Sequence, residues 1–423
     1  MRTNKRLINA LQNTALILLT ASALFLLAKT PLLPDGWLNR VTPPSALAVQ
    51  PVQAAAGELS GLLGSVHLMI TDDSEYGRYG RLCVEESDPL LQQVIPAFRE
   101  ALGSAAEMES VTQPAFRNAL SGSSLYVGLL SGLPLAAVAA CLDETAPFDC
   151  SVCALALAVR SEDTVDLYLP GEDGTVFRCT TALPVSAVRA VCASVAPNGS
   201  AFAYETGYTT LAPYTFLAAE VEQPPDLQSD IPPGFTAYNL LTTLDFNPHT
   251  NSRYIDRDGA EVVEESPRTV RISPDGTVYY TGSGPVSLRL YRLPAESSGL
   301  PEALCAAKNL ASTLAGGTGA SPLYLCGVEE TEKGYIIRFG YQCSGIPVSF
   351  PDEADALSVT VSGVSITAFS YRCRAYTPLA SDAGSLLPPA MAAAIASLYS
   401  GGGLRLAYID RADRPLSAVW LAG

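Results

Sequence analysis

The stretch RYIDRDGAEVVEESPRTVRISPDGTVYY, residues 253–280, decides the fold class. Four short runs, Ser252 to Ile255, Ala260 to Val263, Thr269 to Ile272 and Thr277 to Tyr280, carry β-branched and aromatic residues, and Arg257-Asp258-Gly259 and Pro274-Asp275-Gly276 punctuate them. Such tripeptides reverse a chain tightly: glycine takes positive φ without strain, proline presets the turn, and aspartate bonds its own backbone. The spacing predicts an antiparallel meander of tight hairpins. Phe235 to Leu244, just before it, reads as a helix, so helix followed by meander is the organising unit.

Working outward toward the C-terminus, the same order returns. Pro301 to Leu314 is an amphipathic helix, followed by strands Leu323 to Glu329, Tyr335 to Gln342, Ala356 to Val361 and Ser365 to Tyr376. Pro389 to Tyr399 is again a helix, with strands Leu404 to Ile409 and Leu416 to Leu421 after it. Each helix is expected to pack its apolar side across a curved antiparallel sheet, an α+β layer arrangement.

Toward the N-terminus, Gln223 to Gly234 contains Pro224, Pro225, Pro232 and Pro233 and marks a boundary. Before it lie strands Ser65 to Thr71 and Arg81 to Val84, then a helix begun by Ser87-Asp88-Pro89. In that helix Leu90, Leu91, Val94, Ile95 and Phe98 form the apolar face. A shorter helix is expected over Gln113 to Leu120. Strands follow at Leu155 to Val159, Val165 to Leu169 and Thr175 to Thr180, and a helix near Pro184 to Ala193 closes the region.

Met1 to Ala28 sets the topology. Arg2, Lys5 and Arg6 precede the apolar run Leu7 to Ala28, which as a helix reaches roughly 30 Å, enough to cross a hydrocarbon core once. Positive charge on that flank holds the N-terminus in the cytoplasm and places the bulk of the chain outside. A cleaved signal is the alternative, because Ala21-Ser22-Ala23 has the form of a cleavage site; Leu24 to Leu27, however, continue the apolar run past it. On the anchor helix, Asn9, Gln12, Asn13, Leu16, Thr20, Ala23 and Leu27 recur at spacings of three or four and share one face. Small residues and amides are what helix association in lipid uses, so this face is the candidate contact for a partner helix; the alternative is that the amides sit in the headgroup layer.

The expected organisation is therefore residues 1–30 as a signal-anchor transmembrane helix, 31–60 as a Pro/Ala-rich spacer, 61–222 as an N-terminal α+β domain, 223–234 as a Pro-rich linker, and 235–423 as a C-terminal α+β region with two helix-plus-sheet units. The exterior is long enough for two or three domains with proper cores, and 48% hydrophobic residues exclude a disordered one. A net charge of −16 argues against nucleic acid or an anionic lipid surface as partner. Only Lys5, Lys29, Lys308 and Lys333 are lysines, so no basic cluster offsets it.

Motifs for chemistry are sparse. Two histidines, His67 and His249, leave little material for a metal site or triad. His67 alternates with apolar neighbours in a strand and reads as structural, and His249 sits in a polar turn. Cys150 and Cys153 have thioredoxin-like spacing but precede a strand, not the helix that would activate a thiol. Asp72, Asp73 and Glu75 form an acidic loop, read first as solvated. Gly316-Gly317-Thr318-Gly319 lacks the lysine of a phosphate loop and reads as a flexible helix exit, and Lys308 with Ser312 reads as a surface pair. The ten cysteines divide as Cys83, Cys141, Cys150, Cys153, Cys179 and Cys192, then Cys305, Cys326, Cys343 and Cys373. Each half can pair internally, or several can be small buried apolar residues. No catalytic residue, cofactor or metal follows from the sequence.

Leu240-Leu241-Thr242-Thr243-Leu244-Asp245-Phe246-Asn247-Pro248, through Tyr254 and Asp258-Gly259 to Arg271-Ile272-Ser273-Pro274-Asp275-Gly276-Thr277-Val278-Tyr279-Tyr280, resembles the YycH family and its shorter relative YycI. Gly345-Ile346-Pro347-Val348 before Val359-Thr360-Val361, and the closing Leu404 to Ile409 and Trp420, are similar to it as well. The resemblance covers mainly Phe235 to Gly423. It implies a membrane-anchored extracytoplasmic protein, without a reaction of its own, that binds and modulates the sensor histidine kinase of the WalK and WalR cell-wall system, with a related regulator as a second partner. Two other readings stand beside it: an extracytoplasmic binding protein for a wall or peptide ligand, and a secreted hydrolase using carboxylates.

Overall fold

The computed structural model describes residues 59–73, 77–282, 299–379, 386–399, 402–411 and 414–422. The run Leu7 to Ala28, with the candidate face Asn9, Gln12, Asn13, Leu16, Thr20, Ala23 and Leu27, lies outside them. So does Glu75. Among the described residues no helix is long and apolar enough to cross a membrane.

The architecture is α+β, built on two large sheets. The first uses β1 (Val66–Asp72), β2 (Gly77–Val84), β3 (Ala106–Ser110), β4 (Ser124–Pro134), β5 (Ser151–Val159), β6 (Val165–Pro170) and β7 (Val176–Thr180), in the order β2-β1-β4-β5-β6-β7-β3. Its helices are α1 (Pro89–Ser104), α2 (Gln113–Leu120), α3 (Leu135–Cys141) and α4 (Val185–Cys192). Asp88 starts α1 by accepting from the Leu90 N–H at 2.9 Å, and Thr112 caps α2 from its side-chain oxygen. Strand alternation sends Val66, Leu68 and Ile70 toward Leu91, Val94 and Phe98 of α1, while Met69 joins Phe116 of α2 on the opposite face.

That opposite face is closed by an excursion that carries β8 (Ala201–Phe202) and β9 (Phe216–Leu217), paired with each other. Arg78 fastens it. Buried in the first sheet, Arg78 donates to the Thr71 hydroxyl, the Leu120 carbonyl at 2.9 Å and the Glu205 carboxylate, and its guanidinium lies 5.0 Å from the Phe202 ring centroid. Such a buried cation is tolerable because its donors are met by a carboxylate, a carbonyl and a ring face.

Within the proline-rich stretch 223–234 the chain is paired: β10 (Leu227–Asp230) forms a ribbon with β20 (Ala375–Pro378). Ser229 and Tyr376 donate to Asp410 Oδ2 at 2.8 and 2.9 Å, and Arg374 Nε lies 3.7 Å from the same oxygen.

The second sheet starts with the expected meander, β11 (Arg253–Ile255), β12 (Glu261–Glu265), β13 (Arg268–Ile272) and β14 (Thr277–Gly282), entered from α5 (Ala237–Thr243). It continues through β15 (Leu323–Thr331), β16 (Gly334–Cys343), β17 (Ile346–Ser349), β18 (Leu357–Ser362) and β19 (Ser365–Arg372), and closes with β21 (Leu404–Ile409) and β22 (Ala418–Ala422). The order is β11-β12-β13-β14-β19-β18-β16-β17-β21-β22, with β15 on β16. Tyr280 and Phe369 face each other across β14 and β19, their rings stacked at 5.2 Å. Helix α6 (Leu300–Thr318) lies over β15, β16 and β18, burying Leu304, Ala307, Leu310, Ala311 and Leu314, and it also touches α3 of the first sheet's layer.

Four expectations need correction. The strand expected over Ser365 to Tyr376 breaks at Cys373 and Arg374, because β20 leaves the large sheet to pair with β10. The sheet is not wholly antiparallel, since β17 pairs parallel with β21. Gly316 and Gly317 are helical, and α6 stops only at Gly319, whose φ of 78° forms the left-handed cap that glycine adopts freely. Finally, α7 (Pro389–Ala396) does not spread a large apolar side over the sheet: it buries the small Ala392, Ala393 and Ala396, the last two against Leu211 and Leu217. All ten cysteines are free thiols.

Candidate interaction site

The two sheets meet at a tight joint. Ser65, at the entrance to β1, donates its N–H to Gln342 Oε1 at 3.0 Å and its hydroxyl to the Gly345 carbonyl. Gly345 has φ of 75°, and a Cβ there would sit 2.4 Å from the carbonyl oxygen of Cys83. Cys83 itself has φ of 53°, and its N–H donates to His67 Nδ1 at 3.3 Å. His67 is therefore an acceptor inside the joint, and burial lowers its pKa to about 4, so the imidazole is neutral. The structural reading of His67 agrees with this geometry.

A cleft of about 650 Å³ opens beside the joint, lined by Arg81, Glu85, Asp88, Glu220, Glu222, Ser344 and Leu406 among others. Its walls come from four distant parts of the chain, near residues 85, 220, 345 and 406. Burial raises Asp88, but the Leu90 N–H and the ion pair with Arg81 outweigh that and hold its carboxyl below the usual range. Asp88 is thus committed as an ionised helix cap. No aromatic side chain lines this cleft among the described residues.

The other residues singled out by sequence stay apart. His249 is exposed in a turn, its N–H donating to Asn247 Oδ1 at 3.0 Å. Cys150 and Cys153 lie at the start of β5; burial raises both thiols, Cys153 to about 11, the opposite of what a reactive pair requires. Asp72 ends β1 and Asp73 is exposed after it. Lys308 donates to the Ser60 carbonyl at 2.7 Å, pinning the turn before β1 to α6, while Ser312 is exposed. Among the described residues no group of three or more histidines, cysteines or acids is placed to hold a metal ion.

Surface apolarity is concentrated elsewhere. Of the ten most exposed large apolar side chains among the described residues, Leu387, Met391, Ile395, Leu398 and Tyr399 fall on or beside α7, while Tyr254, Ile255 and Tyr279 lie on β11 and β14 and Ile231 and Tyr238 lie apart. The expectation for Pro389 to Tyr399 is an apolar side packed across a sheet, and its large side chains face outward instead. A usable signal existed in the sequence: no charged residue occurs between Asp382 and Arg405, whereas a helix with one solvated face normally carries some. The cleft had no such signal, because contacts among residues near 85, 220 and 344 depend on the whole topology.

No protein-family profile matches the chain, and no curated protein matches it. A solved structure does. The crystal structure of YycH from Bacillus subtilis is similar with a TM-score of 0.51 at 9% identity, covering 88% of this chain and 96% of that one. The fold is YycH-like. The likeness extends well beyond Phe235 to Gly423, the part in which the sequence resemblance was legible.

Proposed function

We propose that the chain is a non-enzymatic regulator of a membrane sensor histidine kinase that controls cell-wall homeostasis. In this reading Leu7 to Ala28 anchors it with the N-terminus in the cytoplasm and the two-sheet body outside. The face Asn9, Gln12, Asn13, Leu16, Thr20, Ala23 and Leu27 meets a helix of the kinase, and a related regulator is a second partner. The observation that carries the reading is the YycH-like fold over 88% of the chain.

The test is Asn13→Leu combined with Thr20→Leu, which should weaken association with the kinase by roughly 1 to 2 kcal/mol without altering membrane insertion. Co-purification and kinase output are read together, against Ile17→Ala with Leu24→Ala on the other face. Equal effects from both faces, or none from either, would overturn the helix contact.

The cleft of about 650 Å³ favours a second reading, a binding protein for a wall or peptide ligand, since its size suits a small ligand. It ranks second because, among the described residues, no aromatic side chain lines the cleft to hold a sugar or side chain.

A further inference from the structure

Helix α7 is apolar on all sides. Its small residues Ala392, Ala393 and Ala396 are buried, yet its large ones face outward: Met391 is 53% exposed, Ile395 46%, and just beyond the helix Leu398 is 79% and Tyr399 67%. Met391, Ile395 and Leu398 follow at spacings of four and three and form one stripe, with Tyr399 beside Leu398 and Leu387, 44% exposed, just before the helix. A helix without a polar side is normally covered on both faces.

The stripe is held rigidly. Tyr208 donates to the Ala390 carbonyl at 3.2 Å, Thr210 to the Ser397 carbonyl at 2.7 Å, and Trp420 Nε1 to the Leu387 carbonyl at 2.8 Å. These bonds fix the backbone at both ends, so the surface is preformed and little ordering entropy is lost on docking. At its N-terminal end a groove of about 300 Å³, bordered by Leu387, Pro388, Glu220 and Val221, runs into the acidic cleft, which shares Glu220 and adds Glu222, Glu85 and Asp88.

We propose that this surface is the docking site for an amphipathic helix of a different protein, apolar where it meets Met391, Ile395 and Leu398 and carrying lysine or arginine at the end that reaches Glu220 and Glu222. Charge selects this occupant. A second copy would bring another net −16 and no cation between Asp382 and Arg405 to meet the acidic rim. An anionic lipid surface would be repelled by the same charge. A partner with an apolar face and a basic end satisfies both halves of the site, with the charges aiding encounter and the stripe supplying the buried anchors. The proposal adds an exterior contact to the kinase reading, and it is tested separately from the anchor face.

The experiment places a photoreactive phenylalanine analogue at 391, 398 or, as a control, 254 in the full chain in its own membrane, and identifies the crosslinked peptide by mass spectrometry. Expected is one heterologous peptide, from 391 and 398 but not 254, with helical apolar spacing and a basic end. That peptide, made synthetically, should bind the purified full chain about tenfold more weakly after Glu220→Lys with Glu222→Lys, and after Met391→Ser with Leu398→Ser. The unfolding midpoint should stay unchanged, since all four side chains are exposed. Crosslinks to this chain itself, to lipid, equally at 254, or to nothing would overturn the proposal, as would a peptide insensitive to the Glu220 and Glu222 reversal.

Discussion

Strand β6 reads Val165-Asp-Leu-Tyr-Leu-Pro170 and every residue is buried, whereas β18 reads Leu357-Ser-Val-Thr-Val-Ser362 and burial alternates residue by residue. The first belongs to a sheet covered on both faces, by α1 and α4 on one side and by α2 and the 201–218 excursion on the other. The second belongs to a sheet whose inner face meets α6 and whose outer face is left more open. Two-sided cover makes nearly every position of a strand sensitive to volume, while one-sided cover leaves every other position tolerant. The contrast also divides labour: the doubly covered sheet is a rigid block, and the more open one exposes edges and hairpins.

The joint is where this contrast can be broken most sharply. Gly345→Ala adds a Cβ 2.4 Å from the Cys83 carbonyl at a φ of 75°, combining overpacking with left-handed strain, and is expected to cost about 4 kcal/mol. Gly363→Ala, also at positive φ but with nothing within 4 Å among the described residues, is its control and should cost only about 1 kcal/mol. Chemical denaturation compares them. Equal losses would mean that the sheets are not locked together at Gly345.

Within the doubly covered sheet, Leu167→Ala removes a fully buried side chain and should destabilise by roughly 3–4 kcal/mol. On the outer face of the second sheet, Ser358→Ala should stay within about 0.5 kcal/mol. If the two were similar, the distinction between two-sided and one-sided cover would have no energetic content.

Between these lies His67. Its folded pKa, lowered to about 4, is below the unfolded value near 6.5, so the unfolded chain takes up the proton first as pH falls. The stability that depends on a neutral His67 is complete above pH 6.5 and is lost progressively down to about pH 4, by at most about 3 kcal/mol. His67→Gln should flatten that part of the stability–pH curve while keeping an acceptor for the Cys83 N–H. An unchanged slope in the variant would assign the pH dependence to other groups.

Legibility did not follow that asymmetry: β5, β6 and β7 of the doubly covered sheet are as readable in the sequence as β13, β14, β18, β19 and β21 of the other, and so are the capped helices α1 and α2. The central strand β4, Ser124-Leu-Tyr-Val-Gly-Leu-Leu-Ser-Gly-Leu-Pro134, carries two glycines and no alternation, and it passed unnoticed although it pairs with both β1 and β5. Helix α3 was missed because seven residues give too few turns for a period to show. The parallel pairing of β17 with β21 left no local trace at all. Of the candidate sites, single residues such as His67 were read correctly from their neighbours, whereas the cleft and the α7 stripe arise only once distant segments assemble.

That parallel pairing has a consequence for the order in which the molecule can be made. All strands of the first sheet lie between Val66 and Thr180, so a chain emerging N-terminus first can finish that sheet early. The second cannot close until β21 arrives to meet β17, and Leu227 waits longer still for its bridge to Leu416. During synthesis or export the body therefore passes through a half-built stage, one sheet complete and the edges of β10 and β17 open to other chains. Completion depends on the last strands to appear, which makes the C-terminal hairpin a checkpoint on assembly as well as a part of the sheet.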